Sequence, residues 1–361
     1  NGEFRSKERL VLNIINYLEV HKEDFETSSF TKKNAHLLLV FYLHDSDSDL
    51  LDYIIKLVDG WTYPNEDLKI IKRDWEFINQ KIKDGKAHEL SEGDTFYLGA
   101  CTKGSTALKS FRDQPFNKEQ AKQRAYSLKQ GYVNHIIANI AQEETAVYGK
   151  ILKQPEILDK LLSLEEIVIL KFHPFYGKPA EQIEKELGLE LNQKAKSYFA
   201  NLTNTILGIE LGQKIEEFEK ADIIVKTIRL KENNLPKEDI SFPTFKYEEL
   251  IETEWDDSDF KNILESKFFF VFYQYENEKL VLRKVKFWNM SQSDIIEAKN
   301  VWEEMIMTVL KGEIVKEVTN KGVRKTNFPK KTENRISHVR PHARNREDTY
   351  PLPFADELTG L

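Results

Sequence analysis

The stretch EEFEKADIIVKTIRL, Glu216–Leu230, ends in a β-rich run with Lys226 two residues after Ile224. A lysine in that setting can orient or activate water for phosphodiester hydrolysis, provided that carboxylates on the same or an adjacent strand hold a hard cation such as Mg²⁺. The usual pattern is an Asp, then Glu-x-Lys. Here the position two before the lysine is Ile224, which cannot ligate a cation. If this is such a strand, its metal site is lost; the residues alone fit an ordinary buried strand equally well.

Other positions could support the same chemistry. Lys33 closes the run FETSSFTKK, Phe25–Lys33, just before an apolar stretch, and is the residue expected nearest a scissile phosphate. Two basic loops suit DNA reading. In His338-Val-Arg-Pro-His342, Arg340 can bridge guanine O6 and N7, Pro341 stiffens the loop and His342 adds a donor. In Thr102-Lys103-Gly104 a lysine donor stands beside a glycine that lets backbone approach a base. Lys109, Arg112, Lys122, Arg124 and Lys129 are expected to position phosphates. By position alone each of these is as readily plain surface.

The elements that must hold these residues are organised by a long repeat. Lys7–Tyr42 lines up with Lys237–Tyr273: each opens Lys-Glu, each has an aromatic after the same gap (Phe25, Trp255), and each closes on an apolar run ending Phe-Tyr. Those runs, Leu37–Tyr42 and Phe268–Tyr273, read as buried strands. Trp75-Glu76 and Trp302-Glu303 read as the openings of amphipathic helices stopped by Gly85 and Gly312. A strand-like stretch and a basic loop follow in each copy: YLGACTKG, Tyr97–Gly104, and SHVRPHA, Ser337–Ala343. Counted from Phe30 and Phe260, Lys33 becomes Ile263 in the second copy.

The expected organisation is one α/β domain at residues 1–142, a helical connector at 143–205, and a second, degenerate copy at 206–361. Pro179–Leu207 has a helix–Gly–helix rhythm that could be a helix-turn-helix, with a plain connector the safer reading. The chain opens at Asn1 and stops soon after a basic stretch, so it is read as cut at both ends. Lys226 lies twelve residues before Glu238, and twelve before Glu8 falls upstream of Asn1. The first copy's metal-binding acids are therefore expected upstream, no metal ligand is assigned within the chain, and the chain itself is expected to bind DNA without cutting it.

Composition allows this reading. The net charge of -7 argues against a uniformly basic DNA-coating protein. The charge is local, though: Lys316–Arg346 holds ten Lys or Arg against two Glu, and Lys103–Lys129 seven against two acids. A DNA site needs positive potential only where the phosphates lie. One cysteine, Cys101, excludes an internal disulfide and, with eight scattered histidines, argues against structural zinc. No run is apolar enough to span a membrane and no signal segment opens the chain, so a cytoplasmic location is expected.

FETSSFTKK, DWEFINQKI with Gly85, YLGACTKG and RAYSLKQGY (Arg124–Tyr132) resemble the MutH mismatch-repair endonuclease family, most of all its relatives among two-domain restriction enzymes. SKERLVLNIINY and HELSEG add to the likeness, which covers nearly the whole chain. The resemblance implies a restriction-endonuclease-like fold, an α/β (α+β, mixed-sheet) architecture in two copies. It implies a type II enzyme that recognises GATC and cleaves double-stranded DNA with Mg²⁺, as a monomer that DNA could bring into a dimer, with no membrane partner. Lys33 matches the family's additional active-site lysine, and Lys103 with Gly104 matches its recognition loop. Arg340 and His342, in RPHA, resemble that loop in the second copy. Cys101-Thr102 departs from the family's Arg-Pro, so the first copy's guanine contact must differ. The degenerate copy would bind an effector GATC without cutting it. A mismatch-repair nickase and a non-enzymatic DNA-binding regulator are the alternatives.

Overall fold

The computed structural model describes residues 4–45, 48–103, 110–141, 148–152, 162–312, 314–315, 317–318, 320 and 324–339. Gly104, Lys109, Arg340 and His342 lie outside them. The chain divides into two compact units, one formed by Asn1–Glu238 with Ser266–Asn289, the other by Asp239–Glu265 with Met290–Leu361. These units do not follow the repeat boundaries, because the strands of the second repeat pack with the first unit.

In the first unit, β1 (Leu10–Ile14), β7 (Arg124–Leu128) and β4 (Leu98–Thr102) form an antiparallel sheet with β7 central. β2 (His36–Tyr42) and β3 (Ile55–Thr62) form a ribbon, and β5 (Phe111–Gln114) with β6 (Asn117–Lys122) a hairpin. A short parallel pair joins β8 (Tyr148–Gly149) to β9 (Lys214–Ile215). β10 (Ile224–Leu230) runs parallel to β11 (Phe268–Glu276), which is antiparallel to β12 (Lys279–Trp288). The helices are α1 (Tyr17–Val20), α2 (Ser29–Asn34), α3 (Asn65–Lys83), α4 (Gln130–Ala141), α5 (Leu164–Phe172), α6 (Ala180–Glu186), α7 (Tyr198–Ile206) and α8 (Glu216–Lys220). The second unit holds α9 (Tyr247–Glu252), α10 (Asp259–Leu264), α11 (Gln292–Leu310) and a hairpin of β13 (Glu317–Val318) and β14 (Arg324–Lys325). Its core includes Trp255 against Trp302, ring centres 5.5 Å apart.

The repeated sequence folds into repeated local structure. A 3-10 turn at Phe25–Thr27 leads into α2, and one at Trp255–Asp257 leads into α10. Each helix is capped by the same serine hook. Ser28 Oγ accepts from Thr31 N at 3.1 Å and donates to the Phe25 carbonyl at 2.7 Å. Ser258 Oγ accepts from Lys261 N at 3.1 Å and donates to the Trp255 carbonyl at 2.8 Å. Both ribbons shift register at the same place, between Phe41 and Tyr42 and between Phe272 and Tyr273. Both 19-residue helices end at a glycine with positive φ, Gly85 at 69° and Gly312 at 66°, as a left-handed helix terminus requires.

Two expectations are corrected. α3 and α11 start about ten residues before their Trp-Glu pairs: α11 begins at the Ser291 cap, and Trp75 and Trp302 are mid-helix core residues. The two apolar runs also differ in burial. In β11, Phe269, Val271 and Tyr273 are buried against Phe172, Phe218, Phe199 and β12. At the matching positions of β2, Leu38, Val40 and Tyr42 are exposed, because nothing among the described residues covers that face of the ribbon. α6 and α7 are separated by the segment Leu187–Ser197, longer than the turn of about three to four residues that a helix-turn-helix needs. That segment is held by Glu184, which accepts from Leu191 N and from the Tyr198 hydroxyl.

No described helix is long and apolar enough to cross a membrane.

Leu38 and Phe269 occupy matching repeat positions with opposite burial, 75% and 0% exposed. Phe269→Ala should cost about 3–5 kcal/mol through the cavity it leaves. Leu38→Ser should stay within about 0.5 kcal/mol of the parent. Urea unfolding midpoints of the two variants measure the contrast.

Candidate nucleic-acid interface

β1 and β4 run in the same direction on either side of β7, so their C-terminal ends share one end of the sheet. Ile14, Ala125 and Cys101 form one cross-strand row there. Asn34, which follows Lys33, donates from Nδ2 to Asn13 Oδ1 at 2.7 Å and so anchors α2 beside Ile14. Lys33 is exposed in the last turn of α2. Lys103 lies two residues beyond Cys101; its amide donates to the Gln123 carbonyl at 2.9 Å and its side chain is exposed. Thr102, half-buried, pairs with Arg124. The structure therefore brings Lys33, Thr102 and Lys103 to one end of one sheet.

Arg124 and Lys129 are not phosphate contacts, and that expectation is corrected. Arg124 is 2% exposed and donates from Nη1 to the Ala100 carbonyl at 2.6 Å, tying β7 to β4. Lys129 is 6% exposed and donates from Nζ to the Glu92 carbonyl at 2.5 Å. Burial pulls its ammonium below the ordinary lysine range, with Asp222 and Asp74 opposing the shift. A sequence shows charge but not which basic side chains the sheet encloses. Arg112 and Lys122 stay exposed on the β5–β6 hairpin.

β4 is aimed by Asp74 of α3. The carboxylate is buried and accepts from the amides of Phe96, Tyr97 and Leu98 at 2.9, 2.6 and 2.9 Å. Burial pushes its carboxyl up to about 6, and the three amide bonds only partly offset that.

In the second unit, His338 is half-buried, with Nε2 3.8 Å from Asp239 Oδ2, and Lys331 pairs with the same carboxylate. Val339 N donates to the Pro329 carbonyl at 2.9 Å. Sequence reasoning overlooked Lys284 and Lys286 of β12. Their signal was present, an Arg-Lys-Val-Lys-Phe-Trp alternation that puts alternate residues on one face.

The family model described as DNA mismatch repair enzyme MutH matches residues 1–74 and 207–306, one stretch in each repeat. Type II restriction enzyme Sau3AI of Staphylococcus aureus is 39% identical over 370 residues, covering 96% of this chain and 75% of that protein. The chain belongs to the MutH-related family of type II restriction endonucleases. That class comprises site-specific deoxyribonucleases, and the mixed α/β architecture with its several sheets is consistent with the restriction-endonuclease-like fold. Enzymes of this kind use a divalent metal. The described residues do not fit one: they contain no group of three or more His, Cys, Asp or Glu side chains able to hold a metal.

Two outcomes are expected. Arg124→Ala and Lys129→Ala should each lower stability by about 1–3 kcal/mol through the carbonyls they leave unpaired, while Lys103→Ala leaves it unchanged; thermal melts read the difference. Asp74 binds its proton more tightly folded than unfolded, so its contribution to stability is full below about pH 4 and is lost as pH rises through about 6. The stability of the parent minus that of Asp74→Asn should fall across that window in urea titrations; a gap that is flat or rises with pH contradicts the assignment.

Proposed function

We propose that this chain is a type II restriction endonuclease acting on double-stranded DNA at GATC, with hydrolysis to a 5′-phosphate and a 3′-hydroxyl. The observation that carries the reading is a repeated frame with altered chemistry. The same serine hook and short helix recur at Ser28–Asn34 and Ser258–Leu264, yet Lys33 of the first becomes the half-buried Ile263 of the second. A lysine placed beside a scissile phosphate in one copy and an isoleucine in the other describe one cutting and one binding copy.

In this reading residues 1–142 belong to the cutting copy, 143–205 connect, and 206–361 bind a second, effector GATC. Lys33 lies near the phosphate, and Thr102, Lys103 and Gly104 form the first recognition loop. His338, Arg340 and His342 form the second. Mg²⁺ is the proposed ion, and no step is assigned to it because the described residues offer no ligand set. Restriction is favoured over mismatch-repair nicking because the likeness to a restriction enzyme runs through 96% of the chain, connector included. Coupling between the two copies requires that effector DNA stabilise the cutting arrangement.

The test is a titration of the chain against duplexes with and without GATC. A lost bidentate guanine contact is worth about 1–3 kcal/mol, roughly 5- to 150-fold in affinity. Tighter binding to GATC that weakens in Arg340→Ala is the expected result. Equal affinity for both duplexes overturns the effector reading.

A further inference from the structure

Three lysines of the β10–β11–β12 sheet share a face. Lys226 lies opposite Phe270, and Phe270 opposite Lys286. The next row is Ile228, Phe272 and Lys284; the preceding row is Ile224, Phe268 and Trp288. Directly opposed residues, and alternate residues along a strand, point to the same side. The other side is the core, where Phe269, Val271 and Tyr273 are fully buried. The lysines therefore stand together on the side away from that core, with Lys284 and Lys286 exposed and Lys226 half-buried.

None of the three has an ion-pair partner among the described residues. Lys284 Nζ lies 5.0 Å from the centre of the Phe272 ring. Two strand spacings separate Lys226 from Lys286, about 9.6 Å, and two residues separate Lys284 from Lys286, about 6.8 Å. Flexible stems can close that span around phosphate oxygens. Like charges at this spacing, over an aromatic floor that keeps water back, repel one another until an anion arrives.

The first repeat shows what changed. Its matching rows are Leu37 with Trp61, Leu39 with Asp59, and Phe41 with Leu57. Trp61 and Trp288 occupy the same row, and the bulge follows at the same place. Lys286 thus stands where the first ribbon has Asp59, and Lys284 where it has Leu57. Where the first ribbon carries an acid the second carries a base, in the row that also holds Lys226.

We propose that Lys226, Lys284 and Lys286 form a phosphate-binding face for the effector DNA, which holds the backbone by lysine charge without a metal. The proposal rests on the reading of the second copy as a DNA-binding effector. It adds the site that grips the backbone, distinct from the loop that reads the bases.

The experiment measures binding of the whole chain to GATC and GATC-free duplexes by fluorescence anisotropy, in EDTA, from low to physiological salt. Each lysine–phosphate contact contributes about 0.9 to the slope of log affinity against log salt. The triple variant K226Q/K284Q/K286Q should flatten that slope by about 2.7 on both duplexes while the GATC preference persists. A matched triple at exposed lysines elsewhere, K22Q/K83Q/K185Q, should leave it unchanged. Should the first triple fail to fold, the exposed single variant Lys284→Gln should still flatten it by about 0.9. An unchanged slope or an equal change in both triples overturns the proposal. A parent chain without GATC preference whose slope still flattens in the first triple defeats the effector-recognition reading and leaves the phosphate face standing.

Discussion

A strand turns its side chains alternately to two faces, and that period of two is the constraint on which the rest depends. In β11 it sends Phe269, Val271 and Tyr273 inward and Phe268, Phe270 and Phe272 to the other side. A slip of one residue in β11 would turn Phe269, Val271 and Tyr273 out of the core. The register is held by contacts that only one alignment satisfies. Phe269 meets Phe172 at 5.6 Å, Phe218 at 5.5 Å and Phe287 at 4.7 Å between ring centres. From the far edge, Gly177 N donates to the Leu282 carbonyl and Leu282 N to the Lys178 carbonyl, so the connector pins β12 as well.

A buried ionic cluster then fixes where β10 begins. Lys220 ends α8, just before the strand, and its ammonium bonds both oxygens of Asp67 in α3 at 3.1 Å and Glu216 at 2.9 Å. Burial works against its charge, but the two carboxylates prevail and hold the ammonium above the ordinary range. Tyr132 donates to Asp67, and Asp222 accepts from Gly131 N, so α4 joins the same junction. Such clusters add little net stability, because desolvation cancels most of the attraction. Their geometry is demanding, and here it ties the first repeat's long helix to the second repeat's first strand.

Much of this architecture was legible in the residues. Phe-Tyr endings and Trp-to-Gly spacing marked the repeat because they follow local rules of strand and helix. Helix starts were less legible: Ser291 signals α11 clearly, but the apolar weight of Trp302 drew attention to mid-helix. Burial of Arg124 and Lys129 could not be read, since it depends on which strand lies across from each. The compact units were hidden for the same reason, as β11 and β12 belong by sequence to one copy and by packing to the connector. Lys284 and Lys286 were visible as an alternation, but only pairing through Phe270 and Phe272 joined them to Lys226.

The β2–β3 ribbon has a colloidal consequence. Leu38, Val40, Tyr42 and Val58 lie exposed on one face, and among the described residues β2 pairs with β3 alone. Apolar strands with an open edge are templates for edge-to-edge growth between molecules. What opposes that growth is the mutual repulsion of chains carrying a net charge of -7. As acidification removes that charge, the ribbon becomes the part of the molecule that decides whether a solution stays clear.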